Sequence, residues 1–221
     1  MSDAMDDREH RPRSVGAVVE KYGAAMETRL RPIATGAGDV WPPESLTLIG
    51  YKEERRLDVW ATGRKTYPLV RYAVLGASGG TGPKRREGDL QVPEGIYRLT
   101  ALNPLSRFHL SIRLDYPNAD DIRNLGAPRD ELGGDIYIHG SSVSVGCLAI
   151  GDRAIEELFS LVATVGLRDC EALLVPWDLA SRALPKTSED WLAGRYRRLA
   201  ARLRQLDPNR WTDRAKRTPM E

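Results

Sequence analysis

Cysteine and histidine are scarce in this chain. Two cysteines, Cys147 and Cys170, and three histidines occur in 221 residues, with no C-x-x-C pair. That excludes a disulfide framework and leaves a metal centre without a recognisable ligand spacing, so neither metal nor cofactor is expected. An excess of one charge is missing too: 33 Lys and Arg against 31 Asp and Glu leave +2. Nothing in that balance pulls the protein toward nucleic acid. No apolar run is long enough to cross a bilayer, so no transmembrane segment is expected. The first residues, MSDAMDDREHRPRSVGAVVEKYG, lack the apolar core of a signal peptide. Taken alone, they point to the cytoplasm.

What is present reads as one α+β domain over residues 14–207, with a disordered segment at 1–13 and a tail at 208–221. Val15, Val18, Val19, Tyr22, Met26 and Leu30 recur at helical spacing behind Ser14, a candidate N-cap. From Leu46 the period changes to that of strands: LTLIGYK, RRLDVWAT and YPLVRYAVLGA, the first two joined by a charged turn, KEERR. A long Gly- and Pro-rich loop follows, ASGGTGPKRREGDLQVPEGIY, and long loops in compact domains are often functional. Its KRRE run suits a solvated loop or, beside a site, a contact for carboxylates. IYRLTALN and RFHLSIRLDY continue the strands; alternation in the second would put His109 on a polar face with Arg107, Ser111 and Arg113. PNADDIRNLGAPRDELGG reads as a loop. Asp152 caps a helix carrying Ile155, Leu158, Phe159 and Val162 and ending near Gly166, and EALLVPWDL is a buried strand stopped by Pro176. In the last helix Leu192, Tyr196, Leu199, Leu203 and Leu206 share one face, with arginines on the others.

The chemistry concentrates in DIYIHGSSVSVGCLAIGD. DIYI alternates as a strand that ends at His139, and a Gly- and Ser-rich turn returns the chain to Cys147 eight residues later. An imidazole within reach can take the thiol proton, or hold it as an ion pair, and so create a nucleophile. Gly146 permits a bend closed to other residues, and main-chain N–H groups at Gly146 and Cys147 could receive an oxyanion. Ser141, Ser142 and Ser144 could orient the ring or bind substrate. The competing reading makes Cys147 a small buried strand residue and His139 a surface turn residue. For Cys170, beside an apolar strand, burial is the expectation.

HGSSVSVGC resembles the signature of the L,D-transpeptidase catalytic-domain family of the YkuD type. His139-Gly140 matches its His-Gly pair, and Ser144-Val145-Gly146-Cys147 its Ser-x-Gly-Cys element. KRREGDLQVPEGIYRL, FHLSIRLDYPNADD, the IEELFSLV helix, the final apolar strand and the entry RLRPIATGAGDVWPPESLTLIGYKEERRLDVWA are similar to the family's murein L,D-transpeptidase subgroup of the YafK kind. Val145 departs from the His or Arg usual before that glycine. The resemblance implies a mainly β catalytic domain with helices at its N- and C-terminal ends. It implies an enzyme acting on peptidoglycan stem peptides through a thioester on Cys147. His139 would be the base, Gly146 and Cys147 the oxyanion donors, and Ser144 and Gly140 orienting residues. From their own chemistry, Ser141 and Ser142 could contact substrate, and His109 is a solvated strand histidine by default or, more sharply, a substrate contact lining the cleft. An amine acceptor then gives a crosslink, whereas water gives hydrolysis, which in this subgroup implies release of a wall-anchored lipoprotein. A domain that only binds wall polymer is the non-enzymatic alternative. The substrate implies an extracytoplasmic, periplasmic location, with a leader removed or lying upstream.

Overall fold

The computed structural model describes residues 12–207. The segments read above as a tail (208–221) and, but for two residues, as disordered (1–13) lie outside the described residues.

Ser14 does cap the first helix, α1 (Val15–Gly36): its Oγ accepts the Ala17 N–H at 3.1 Å. The helix runs past Leu30, because Pro32 removes a single donor without ending it. Three antiparallel strands follow, β1 (Ser45–Tyr51), β2 (Arg56–Thr62) and β3 (Thr66–Ala73), with KEERR in the β1–β2 turn. Then come β4 (Gly95–Asn103), β5 (Ser111–Leu114), two short helices α2 (Ala119–Leu125) and α3 (Arg129–Leu132), β6 (Tyr137–His139), β7 (Leu148–Ala149), α4 (Asp152–Val165), β8 (Cys170–Val175) and α5 (Asp190–Leu206).

The eight strands form one sheet in the order β3-β2-β1-β8-β4-β5-β6-β7, with β1–β8 and β6–β7 parallel. The sheet curls until its ends meet: Leu75 N–H, just beyond β3, donates to Ala149 O at 2.8 Å, and Ala149 N–H returns to Gly76 O at 2.8 Å. Neither outer strand is therefore left as an open edge along this stretch.

Alternation divides β1 and β8 between two cores. Leu46, Leu48, Ala172 and Leu174 face the main core with α1 and α4, whereas Ile49, Tyr51, Leu173 and Val175 face α5. All five apolar residues expected on the last helix are buried there. Arg195 departs from the expectation that arginines take the other faces. It is buried, with Nη1 2.8 Å from Asp121 Oδ1 and Nη2 2.8 Å from Asp120 Oδ2, and it ties α5 to α2.

Three further expectations need correction. The segment read as a loop after β5 contains α2, which opens on a capping box: Asn118 Oδ1 accepts Asp121 N–H, and the Asp121 carboxylate accepts Asn118 N–H. Gly151, not Asp152, caps α4, which frees the Asp152 carboxylate to accept the Ser141 N–H at 2.7 Å. Finally, RFHL is not strand. His109 has φ +71 in the turn before β5, so it shares no alternating face with Ser111 and Arg113.

Candidate active site

The parallel β6–β7 register carries the site. Ile138 pairs with Leu148 and His139 with Ala149, and both Ile138 and Leu148 point into the main core. Period-2 alternation then puts His139 and Cys147 on the opposite face, with Cys147 beside Tyr137. Tyr137 N–H donates to Cys147 Sγ at 3.4 Å, and the thiol lies 3.4 Å from Asp135 O as its donor. No hydrogen bond joins the Cys147 and His139 side chains in this structure.

His139 is buried, 1% exposed, under the Phe108 ring, which stacks on it at 4.5 Å and 29°. Its Nδ1 lies 2.6 Å from Gly140 O. A carbonyl only accepts, so Nδ1 carries the proton and Nε2 is left with its lone pair. Burial lowers the imidazole pKa, against an opposing pull from that carbonyl. Burial also raises the Cys147 thiol pKa, which the Tyr137 N–H partly offsets; Asp135 adds to the rise and Lys84 opposes it. Both shifts favour neutral imidazole and neutral thiol, so the ion-pair alternative is disfavoured in the free protein.

Glycine is required twice. Gly146 has φ +80, the bend expected of it. A Cβ on Gly140 would come within 2.7 Å of Phe108 O and 2.6 Å of Asp152 Oδ1. The main-chain donors named for an oxyanion are both engaged: Gly146 N–H donates to Ser78 Oγ at 2.6 Å and Cys147 N–H to Ser144 Oγ at 3.1 Å. Ser78 Oγ is pinned by its own bond to Leu90 O at 2.7 Å. Among the described residues the Ser144 hydroxyl makes no second hydrogen bond.

The other expected residues lie farther out. Ser141 has φ +63 and is held through its backbone by Asp152 and Gly151. Ser142 is exposed, with its carbonyl packed against Gly76. The His109 side chain turns to the helices, with Nε2 2.7 Å from Glu156 Oε1 and its ring edge-on to Tyr22. Cys170 is buried; its thiol lies 3.1 Å from Gly166 O, and burial pushes its pKa to about 12. Both cysteines are free. Among the described residues no group of three or more His, Cys, Asp or Glu gathers as a metal site, and no helix is long and apolar enough to cross a membrane. Sequence reasoning missed Ser78 and Phe108. Each reaches the site from a distant loop, and neither sits in a local pattern that marks it.

The profile of the L,D-transpeptidase catalytic domain matches residues 27–167. The chain belongs to this L,D-transpeptidase family. It is 40% identical over 115 residues to "Putative L,D-transpeptidase YafK" of Escherichia coli K12, an alignment covering 51% of this chain and 45% of that protein. The protein of the same name in Escherichia coli O157:H7 matches equally. The aligned region is thus about half the length of these curated relatives. Among solved structures, the helical cell shape determining protein Pgp2 (K307A mutant) of Campylobacter jejuni aligns at a TM-score of 0.51 and 20% identity. That match covers 74% of this chain and 54% of that one, and it shows the L,D-transpeptidase-type fold.

Proposed function

We propose that this chain is a cysteine-dependent enzyme that modifies peptidoglycan stem peptides as an L,D-transpeptidase, through a thioester on Cys147. The observation that carries the reading is the Nδ1–Gly140 O contact, which leaves Nε2 of a neutral His139 as a base on the face that bears Cys147. Family membership supports the substrate class.

On this reading substrate draws the two side chains together, and His139 Nε2 takes the thiol proton as Sγ attacks the stem-peptide carbonyl. The Ser144 hydroxyl swings off Cys147 N–H, which then donates to the oxyanion, while Ser78 keeps Gly146 N–H as a fixed brace for the bend. The tetrahedral adduct collapses with cleavage of the C–N bond, and His139 returns its proton to the leaving amine. An amine acceptor then attacks the thioester and loses a proton to His139, and the sulfur departs to regain that proton. Water in place of the amine would make the enzyme a hydrolase, with a wall-anchored lipoprotein among its candidate substrates. The enzyme works outside the cytoplasm, where its substrate lies.

Digestion of purified sacculi, read by mass spectrometry, tests the assignment. New crosslinked stem-peptide dimers with wild type and none with Cys147→Ala support transpeptidation. Shortened stems or released peptide without dimers reassign the activity to hydrolysis. Equal products from wild type and Cys147→Ala, or none from either, contradict the proposal.

A further inference from the structure

We propose that a cleft beside the candidate site binds a carboxylate of an acidic peptide through Arg86 and Lys186. This rests on the stem-peptide reading and assigns a second point of contact to the same substrate.

The cleft encloses about 710 Å³ between the 81–91 turn and residues 185–196, a volume suited to a peptide segment. Residues 185–196 lie beyond the region matched to the family profile, 27–167. Gln91 lines the cleft, and its carbonyl oxygen lies 3.7 Å from where a Cβ on Gly146 would stand. Gln91 thus stands between the cleft and Gly146, the residue before Cys147.

The turn on one wall is rigidly built. The Asp89 carboxylate accepts from Lys84 Nζ at 2.9 Å, Arg85 N–H at 2.7 Å, Arg86 N–H at 3.1 Å and Gln91 N–H at 3.1 Å. Arg85 crosses the cleft to Glu189 on the other wall, with Nη1 2.9 Å from Oε1 and Nη2 2.5 Å from Oε2. These contacts match Lys84 with Asp89 and Arg85 with Glu189. The exposed Arg86 guanidinium and Lys186 ammonium remain, both lining the cleft and neither with a side-chain partner among the described residues.

With Asp89 and Glu189 already matched, Arg86 and Lys186 leave the cleft a small excess of positive charge, which suits one anionic group. A carboxylate suits the planar Arg86 fork, with Lys186 as a compact second charge. A stem peptide carries such a carboxylate on its glutamyl residue, away from the scissile bond.

The test is calorimetric binding to Cys147→Ala protein, which cannot turn substrate over. The probes are a synthetic stem tetrapeptide with a free glutamyl α-carboxylate and its α-amide twin. The acid should bind about three- to tenfold more tightly, the scale of partly exposed charge pairs. That preference should fade as salt rises, and adding Arg86→Gln and Lys186→Gln should erase it. Equal binding of the two peptides, no binding of either, or a preference that survives both substitutions overturns the proposal. Lys186→Glu gives an independent check, since its charge offsets that of Arg86 and should abolish the preference; an unchanged preference also overturns the proposal. Carbapenem acylation of wild-type Cys147 separates the two levels. If acylation fails while the acid is still preferred, the thioester reading falls and the cleft stands. If acylation succeeds while the two peptides bind alike, the cleft proposal falls alone.

Discussion

Tyr137 donates its backbone N–H to the Cys147 sulfur at 3.4 Å across the parallel β6–β7 pair. This bond fixes the thiol's position without ionising it, because burial outweighs it and the net shift of the thiol is upward. Burial meanwhile lowers the His139 pKa. A thiol held this way titrates late. In the free protein, the Cys147 alkylation rate with iodoacetamide should keep rising with pH beyond the ordinary thiol range. A plateau already reached between about pH 6 and 7 would reveal a thiolate–imidazolium pair instead. Cys170, whose pKa is about 12, should stay unlabelled until the protein unfolds.

Phe108 sets part of His139's burial by stacking on its ring at 4.5 Å. Phe108→Ala opens that face to water, which favours the charged form and raises the imidazole pKa toward its ordinary value. Since the neutral ring is the base, the acid limb of Cys147 acylation should move to higher pH. The pH profile of carbapenem acylation reads this directly, and an unmoved limb would mean that Phe108 does not control the ring.

Gly140 lies where Phe108 O and Asp152 Oδ1 leave no room for a Cβ. Gly140→Ala must push the turn before β5 away from β6, at about 1–3 kcal/mol for overpacking. The melting temperature should fall by several degrees, by about 2–4 °C per kcal/mol, and acylation should slow as the Nδ1–Gly140 O contact shifts. Gly134→Ala, with nothing within 4 Å, is the control and should leave the melting temperature nearly unchanged.

The long loop after β3 is anchored by a buried pair. Lys52 Nζ lies 3.0 Å from Glu94 Oε1, at 6% and 0% side-chain exposure. Lys52 also donates to Gly82 O at 2.7 Å and Val92 O at 2.9 Å, and Tyr196 OH donates to Glu94 Oε2 at 2.7 Å. Removing one member leaves the other charge buried and unmatched, which costs about 3–5 kcal/mol. Glu94→Gln and Lys52→Met should each lower stability by that order in denaturant titrations. The double variant should lose less than the sum, because it leaves neither charge stranded. Additive losses would contradict the pairing.

Local patterning carried much of the fold: Ser14 as a cap, the β1–β2 hairpin, and the apolar face of α5 were all legible. The failures were tertiary or subtle. The α2 capping box begins at Asn118 inside a polar stretch that also reads as loop. Alternation around His109 broke because the chain turns there at positive φ, with the ring held against Glu156 and Tyr22. Arg195 is buried because Asp120 and Asp121 lie opposite it, a pairing about 75 residues apart that no local period reveals. At the site, His139 and Cys147 could be named as candidates from the wording HGSSVSVGC more than from their spacing. Ser78 and Phe108 could not, since a curled sheet and a turn bring them in from 68 and 31 residues away. Nor did spacing foretell that serine hydroxyls engage both proposed oxyanion donors.

The most direct test is intact-mass spectrometry of the protein incubated with a carbapenem, followed by peptide mapping. One adduct on Cys147, absent in Cys147→Ala and formed much more slowly in His139→Ala, is the expected result. No adduct, an adduct on Cys170, or acylation that proceeds as fast without the His139 imidazole would contradict the assignment of Cys147 as a nucleophile served by His139.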